Sequence, residues 1–238
     1  MSKQERAVRT RSQLIVSAAR TFCRHGYAEA GMTVISRLSG VSSGALYFHF
    51  PSKAALAEAV ETEAARALHA VARHIGQRRE SALQGLVDTS HALAQLLREN
   101  VVAKAGLRLN CDGHASSPLD LRQEWQACVQ RLLTEASREG WLNPELSRQH
   151  MTSAIVAATV GFEVLSEDDQ EWLSRYSLTG FWQLQLPRMT TPYALGQLDP
   201  AGSESALAAA RSVPSLPATA TWAAEPAQCG RPHHLSGP

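Results

Sequence analysis

The stretch from Thr33 to Lys53 constrains this chain more than any other. It is punctuated at intervals too short for anything but brief helices. Thr33 offers a capping hydroxyl ahead of Val34, Ile35 and Leu38, whose spacing predicts a short helix with those three side chains inward. Ser39-Gly40 stops it. Ser42 is a second cap, for a helix through about His49, and Pro51-Ser52 breaks the chain again. Two short helices across a glycine turn make a helix-turn-helix, in which the first braces the second. Upstream, Leu14, Ile15, Ala18, Ala19 and Phe22 follow the spacing of an amphipathic helix, with Gly26 as its stop.

The residue types suit contact with DNA. Ser42, Ser43, Gly44 and Ala45 are small, so the start of the second helix can approach a major groove closely. Val41 and Leu46 point inward and hold the crossing angle. Tyr47, His49 and Lys53 carry polar tips suited to phosphate oxygens, and Thr33 can present its hydroxyl and a helix N-terminus to another. Arg37 is a further candidate for base or phosphate contact. Plainer roles stand beside these: Tyr47 as a core aromatic, although Leu46 and Phe48 can fill that core, His49 as a structural histidine, Ser42 as a cap alone, and Lys53 as a solvated lysine. Charge favours the DNA reading. Net charge is only +1, but residues 1–53 hold Lys3, Arg6, Arg9, Arg11, Arg20, Arg24, Arg37 and Lys53 against Glu5 and Glu29, a net +6 on a chain whose remainder is −5.

The rest reads as all-α. Lys53 to about Ile75 forms a helix ended by Gly76, followed by helices over 81–98 and Val101 to Leu109, and a loop from Cys111 to Pro118. Leu121, Trp125, Cys128, Leu132 and Ala136 mark one helix face closed by Gly140; Ser147 to Leu165 and Glu167 to about Leu186 complete the set. The expected domains are a helix-turn-helix head over 1–53, a helical ligand-binding and dimerisation domain over 54–190, and a Pro-, Ala-, Ser- and Gly-rich tail over 191–238 that is expected to be disordered, although Trp222 could anchor it. No apolar run is long enough to span a membrane, and the polar start lacks an apolar leader, so a cytoplasmic protein with reduced cysteines is expected.

Two catalytic patterns fail on context. Gly40-Val-Ser42-Ser-Gly44 matches the serine-hydrolase elbow, but that motif needs a preceding strand and here follows a helix. Cys111 and His114, with Cys128 later, lack a suitably spaced fourth zinc ligand, and His233-His234 is too short a metal tract. No enzyme activity, cofactor or metal is expected.

The string from Thr33 to Lys53, above all Gly44-Ala-Leu-Tyr-Phe-His-Phe50, resembles the DNA-binding domain of the tetracycline-repressor family. The strong likeness covers about residues 8–60. Many relatives carry Lys or Arg where Ser43 stands. The wording of 45–50, Val101-Val-Ala-Lys-Ala-Gly-Leu-Arg-Leu109 and Glu124-Trp125 is similar to the γ-butyrolactone receptor subgroup. The resemblance implies a homodimer on a double-stranded, roughly palindromic operator, released by a small-molecule effector of γ-butyrolactone, butenolide or furan type that controls antibiotic or other secondary-metabolite genes. It implies that Trp125 walls the effector pocket, with Asn110 on the head group and Leu107, Thr159, Phe162 and Glu163 nearby, and that the last two helices pair with a second copy. The alternative is a repressor of an efflux or catabolic gene that answers an apolar xenobiotic or antibiotic.

Overall fold

The computed structural model of the chain describes residues 2–112 and 120–213. His114, Trp222, Cys229, His233 and His234 lie outside them, as does the expected tail beyond residue 213. The order is α1 (Lys3–Glu29), α2 (Met32–Ser39), α3 (Ser43–His49), α4 (Lys53–Arg78), α5 (Ala82–Glu99), α6 (Val101–Cys111), α7 (Leu121–Arg138), α8 (Arg148–Leu165), a 3-10 turn at Gln170–Leu173, α9 (Arg175–Met189), α10 (Pro192–Leu195) and α11 (Glu204–Ser212). Among the described residues there is no strand, only an isolated antiparallel bridge between Leu142 and Thr190.

The chain divides into two compact units, but not at residue 53. The first holds the described residues through Arg66 and those from Asn100 to Asp112; the second runs from Ala67 to Glu99 and from Asp120 to Val213. Residues of α4 fall in both units, and α6 falls in the first. The reason is steric. A Cβ on Gly106 of α6 would lie 2.3 Å from Ala64 Cβ and 2.9 Å from the Val60 carbonyl oxygen, so α6 runs backbone-close along α4. Its apolar face, with Val102, Ala105 and Leu109, closes one core with Leu14, Ile15, Phe22, Ile35, Leu46, Phe50, Leu56 and Val60.

In the first unit, α1 starts with a capping box: Ser2 accepts from the Glu5 amide, and Glu5 accepts in return. Gly26, at φ +73°, interrupts α1 where the sequence places a stop. Gly76 does not end its helix, which continues to Arg78.

The second unit is built round Trp182, fully buried among Leu83, Leu86, Leu133 and Ile155. Its indole N–H donates to Ser90 Oγ at 2.8 Å, which satisfies the one polar atom such burial strands. The segment after Thr191 departs from expectation. It forms α10 and α11, and Ala206, Leu207, Ala209 and Ala210 are buried, with α11 packed on α5. Composition misled because alanine contributes little per residue, yet a nine-residue helix with an alanine face needs only a groove and anchors. The anchors are present. Asp88 accepts from the Ser203 amide and hydroxyl at 2.8 Å each, Gln84 exchanges hydrogen bonds with the Asp199 backbone, and Arg175 donates to the carbonyls of Ala201 and Gly202 at 2.9 Å.

Candidate nucleic-acid interface and effector site

The turn between α2 and α3 is held from inside. Gly40 adopts φ +67° and its amide donates to Arg37 and Ser36 carbonyls. Ser36 Oγ donates to the Val41 carbonyl at 2.6 Å and lies 3.4 Å from Ser43 Oγ. Ser42 caps α3 by accepting from the Ala45 amide at 3.3 Å. Leu46 is completely buried and Val41 packs against the same core, so the crossing is fixed as expected.

What faces outward follows from that register. Thr33, Arg37, Ser42, Ser43, Gly44 and Tyr47 are exposed, while Ala45 and His49 are half-buried. The Arg37 guanidinium has no hydrogen bond or ion pair among the described residues, and no acidic residue occurs between Glu29 and Glu58. One surface therefore offers an uncommitted guanidinium, three small residues and a phenol, with no carboxylate from its own segment to repel a polyanion.

Four expectations need correction. Thr33 does not cap α2; Gly31 holds that position without a side-chain bond, and Thr33 lies in the first turn. Leu38 is exposed rather than inward. Phe48 does not fill the core; it is 85% exposed, and Phe50, the extended residue just after α3, takes the buried place, with the Arg11 guanidinium 5.2 Å above its ring. Phe48 is thus an apolar member of the α3 surface that residue type alone concealed. Lys53 is not a solvated lysine. Its ammonium donates to the Tyr27 and Ala28 carbonyls at 2.9 Å each and lies 4.6 Å from the Tyr27 ring centroid. The α1 carbonyls orphaned beside Gly26 draw a cation there, so Lys53 ties the start of α4 to the end of α1.

The residues expected at the effector fall in both units. In the second, Trp125 donates its indole N–H to Thr159 Oγ1 at 2.8 Å, so α7 and α8 do bring these two together. Thr159 passes its own proton to the Ile155 carbonyl. Phe162 stacks on Trp172 and meets Phe181 edge-on. Glu163 is held by Arg122 at 3.1 Å, so its charge is compensated within the unit. His69 of α4 and Glu124 of α7 pair at 2.5 Å. A separate surface groove of about 360 Å³ between α7 and α8 is lined by Gln126, Gln130, Gln149, Ser153, Val156 and Val160, and none of the six expected effector residues is in its wall. In the first unit, Leu107 and Asn110 lie half-buried on α6, Asn110 inside the helix rather than in the loop after it.

The last helices are partly as expected for a surface that meets a second copy. Tyr176 is 88% exposed and Leu184 75%, with Trp172 and Leu165 also outward. Trp182 is not part of that surface, being the centre of its own core. Among the described residues no helix is long and apolar enough to cross a membrane, and no cluster of His, Cys, Asp and Glu could hold a metal. Cys128 has its thiol pushed up chiefly by burial, the opposite of an activated nucleophile.

Residues 14–60 match the family described as bacterial regulatory proteins, tetR family, and residues 80–190 match a tetracyclin repressor-like C-terminal domain. The A-factor receptor protein of Streptomyces griseus is 32% identical over 215 residues, 89% of this chain and 75% of that protein. The HTH-type transcriptional regulator TtgR of Pseudomonas putida is 30% identical over 172 residues, 66% of this chain and 80% of that one. Among solved structures, an ArpA-like γ-butyrolactone receptor superposes with a TM-score of 0.70 at 25% identity, covering 87% of this chain and 97% of that one. CprB of Streptomyces coelicolor in complex with its biological operator sequence superposes at 0.69 with 27% identity, covering 87% and 98%.

Proposed function

The chain belongs to the tetracycline-repressor family of DNA-binding transcriptional regulators, and from that premise we propose that it is a cytoplasmic homodimeric repressor of secondary-metabolite genes, released from its operator by a γ-butyrolactone-type signal. The observation that carries this reading is the surface of the helix-turn-helix: Arg37 of α2, the Ser42 cap, and Ser43, Gly44, Tyr47 and Phe48 of α3 turned outward over a fixed core, in a segment without a carboxylate. A relative aligned over 89% of this chain is an A-factor receptor, which supports a lactone over a xenobiotic.

Two copies present two α3 helices to successive major grooves of a roughly palindromic site. Arg37, Tyr47, His49 and Thr33 reach phosphates or base edges, and Ser42, Ser43, Gly44 and Ala45 allow the helix to come close. Phe48 offers an apolar face suited to a thymine methyl. Lys53 contributes by fixing the α1–α4 junction, so the start of α4 moves with the end of α1. On the effector side, Trp125 supplies a flat wall whose indole N–H is already committed to Thr159, leaving shape and dispersion as its contribution. Leu107, Asn110, Phe162 and Glu163 are the further candidates. A ligand releases DNA only by preferring the conformer that binds DNA poorly, and a coupling of about 1–3 kcal/mol is typical. α4 is the one helix common to both units and is the natural carrier of that preference.

The test is a gel shift at fixed salt on the DNA upstream of the protein's own gene, with and without a panel of γ-butyrolactones, butenolides and furans. A shifted band released by a lactone is the expected result. A band that only antibiotics or other xenobiotics release would replace the effector class, and no band on any fragment would contradict the repressor reading.

A further inference from the structure

Glu61 stands near the middle of the α4 segment that belongs to the first unit, and it is 2% exposed. Neither of its carboxyl oxygens has a hydrogen bond among the described residues. Its neighbour across the helix pair is α6. Gly106 brings the two backbones together, with its ideal Cβ position only 3.2 Å from Glu61 Cα. Asn110 follows one helical turn later on the same face of α6. The Asn110 side chain bears on the carboxyl without forming a hydrogen bond of normal geometry, and it favours the ionised form; burial opposes it more strongly, and Glu58 adds to burial, so the carboxyl titrates above its ordinary range.

A buried carboxyl is expensive in either form. Ionised, it needs donors; protonated, it needs an acceptor for its proton. Packing gives no reason for it, since the α4 positions around it are Leu56, Ala57, Val60, Ala64 and Ala65, all buried and apolar. A methionine or leucine would fill the same space without the cost. In a protein of this kind, a polar group kept inside an apolar helix contact at a net cost marks a place where something else must be recognised.

We infer that the Glu61 carboxyl, with the Asn110 amide beside it, is the recognition group for a hydrogen-bond donor on the effector, a hydroxyl or a protonated amine carried by an otherwise apolar molecule. This rests on the effector reading above and sharpens it: the signal is a donor-bearing lactone rather than one whose side chain carries only carbonyls. The geometry also gives the group a short route to the operator. Glu61 lies two helical turns beyond Lys53, whose ammonium holds the end of α1, and α4 begins four residues after α3 ends. A donor that draws Glu61 toward itself acts on the helix whose start is fastened to the DNA-reading head.

The experiment uses the full-length dimer, with operator release and direct calorimetric binding as readouts. The probes are three lactones of one skeleton: a γ-butyrolactone with a side-chain hydroxyl, the same compound oxidised to the ketone, and the same compound with a primary amine in place of the hydroxyl. The parent is expected to bind a donor-bearing member at least about tenfold more tightly than the ketone, the scale of one buried hydrogen bond to a charged group. Glu61→Leu is expected to melt higher, to keep operator affinity and to lose that preference. Glu61→Gln, which keeps an acceptor oxygen but not the charge, separates the two donors: it retains a preference for the hydroxyl and loses one for the amine. Equal binding of the donor and ketone lactones by the parent, or an undiminished preference in Glu61→Leu, would overturn the assignment of Glu61 while leaving the lactone reading intact, because the lactones would still release DNA. Failure of all three to bind at millimolar concentration would overturn both.

Discussion

α3 and α9 both bury some side chains and expose other aromatic or aliphatic ones, yet their surroundings differ in kind. α3 buries Leu46 and turns out Tyr47 and Phe48, 54% and 85% exposed, beside small residues and the uncommitted Arg37. α9 buries Trp182 and Leu186 and turns out Tyr176 and Leu184, with no charged residue from Tyr176 to Pro187. An exposed ring beside a guanidinium in a segment free of carboxylates fits a polyanion. An exposed row without charge fits another apolar surface, which for a symmetric dimer is the same surface on a second copy. Exposure alone does not tell the two apart; the charge around it does.

The comparison can be strained from either side. The largest effect is expected from Trp182→Ala, which removes the centre of the second core: a loss of about 3–5 kcal/mol in denaturant unfolding. A loss below about 1 kcal/mol would mean that this helix is not organised round its buried tryptophan. Leu184→Glu places a charge in the uncharged row and should weaken self-association by about 2 kcal/mol or more in sedimentation equilibrium, with the helical circular dichroism unchanged. A dimer as tight as the parent's would move the copy-to-copy surface elsewhere.

On the other side of the comparison, Arg37→Ala in α2 and Phe48→Ala in α3 should each weaken operator binding by about 1–3 kcal/mol in fluorescence anisotropy, while thermal stability stays within about 0.5 kcal/mol of the parent, as expected for exposed side chains. If Phe48→Ala instead melts much earlier, its outward place on α3 is wrong.

The smallest effect concerns the segment after α9. Burial lowers the pKa of His91 more than its bond to the Pro200 carbonyl raises it. A histidine whose folded pKa is depressed stabilises the fold above its unfolded value of 6.5, and that stability is lost as pH falls below 6.5 toward the folded pKa. The parent should therefore melt lower at pH 5.5 than at pH 7.5, and His91→Gln should reduce that difference. An unchanged pH response in His91→Gln would assign it to other groups.

The two regions also differ in how much the sequence revealed. Around α3 the short-range signals were enough: Gly40, Ser42 and Pro51 act within four residues of themselves, so the turn, the cap and the break could be read one by one. Phe48 and Phe50 could not be told apart, because they are phenylalanines two positions apart at the end of a short helix and only the packing of the head decides which is buried. Lys53 was misjudged for a related reason. Its partners lie 25 and 26 residues away, at carbonyls that only the kink at Gly26 makes available. In the second unit the helices were legible from periodicity, but their pairings were not. Trp125 with Thr159, Arg122 with Glu163 and Asp88 with Ser203 join positions 34, 41 and 115 residues apart. The order of α11 was missed because an alanine-rich, polar segment reads as unable to fold until its anchors on α5 are known. Glu61 was hidden by its type, since a glutamate in a helix with glutamates at 58 and 63 reads as part of a solvated face.

The central claim is that one molecule both grips an operator through α3 and lets go when a lactone reaches the effector residues. The most direct measurement is an operator-release titration: labelled operator DNA held by the full-length dimer at fixed salt, titrated with a γ-butyrolactone, for the parent and for Trp125→Ala side by side. The account predicts equal operator affinity for the two proteins, complete release of the parent, and release of Trp125→Ala only at lactone concentrations at least about tenfold higher, the scale of one lost apolar wall. Release of both proteins at the same concentration would contradict it.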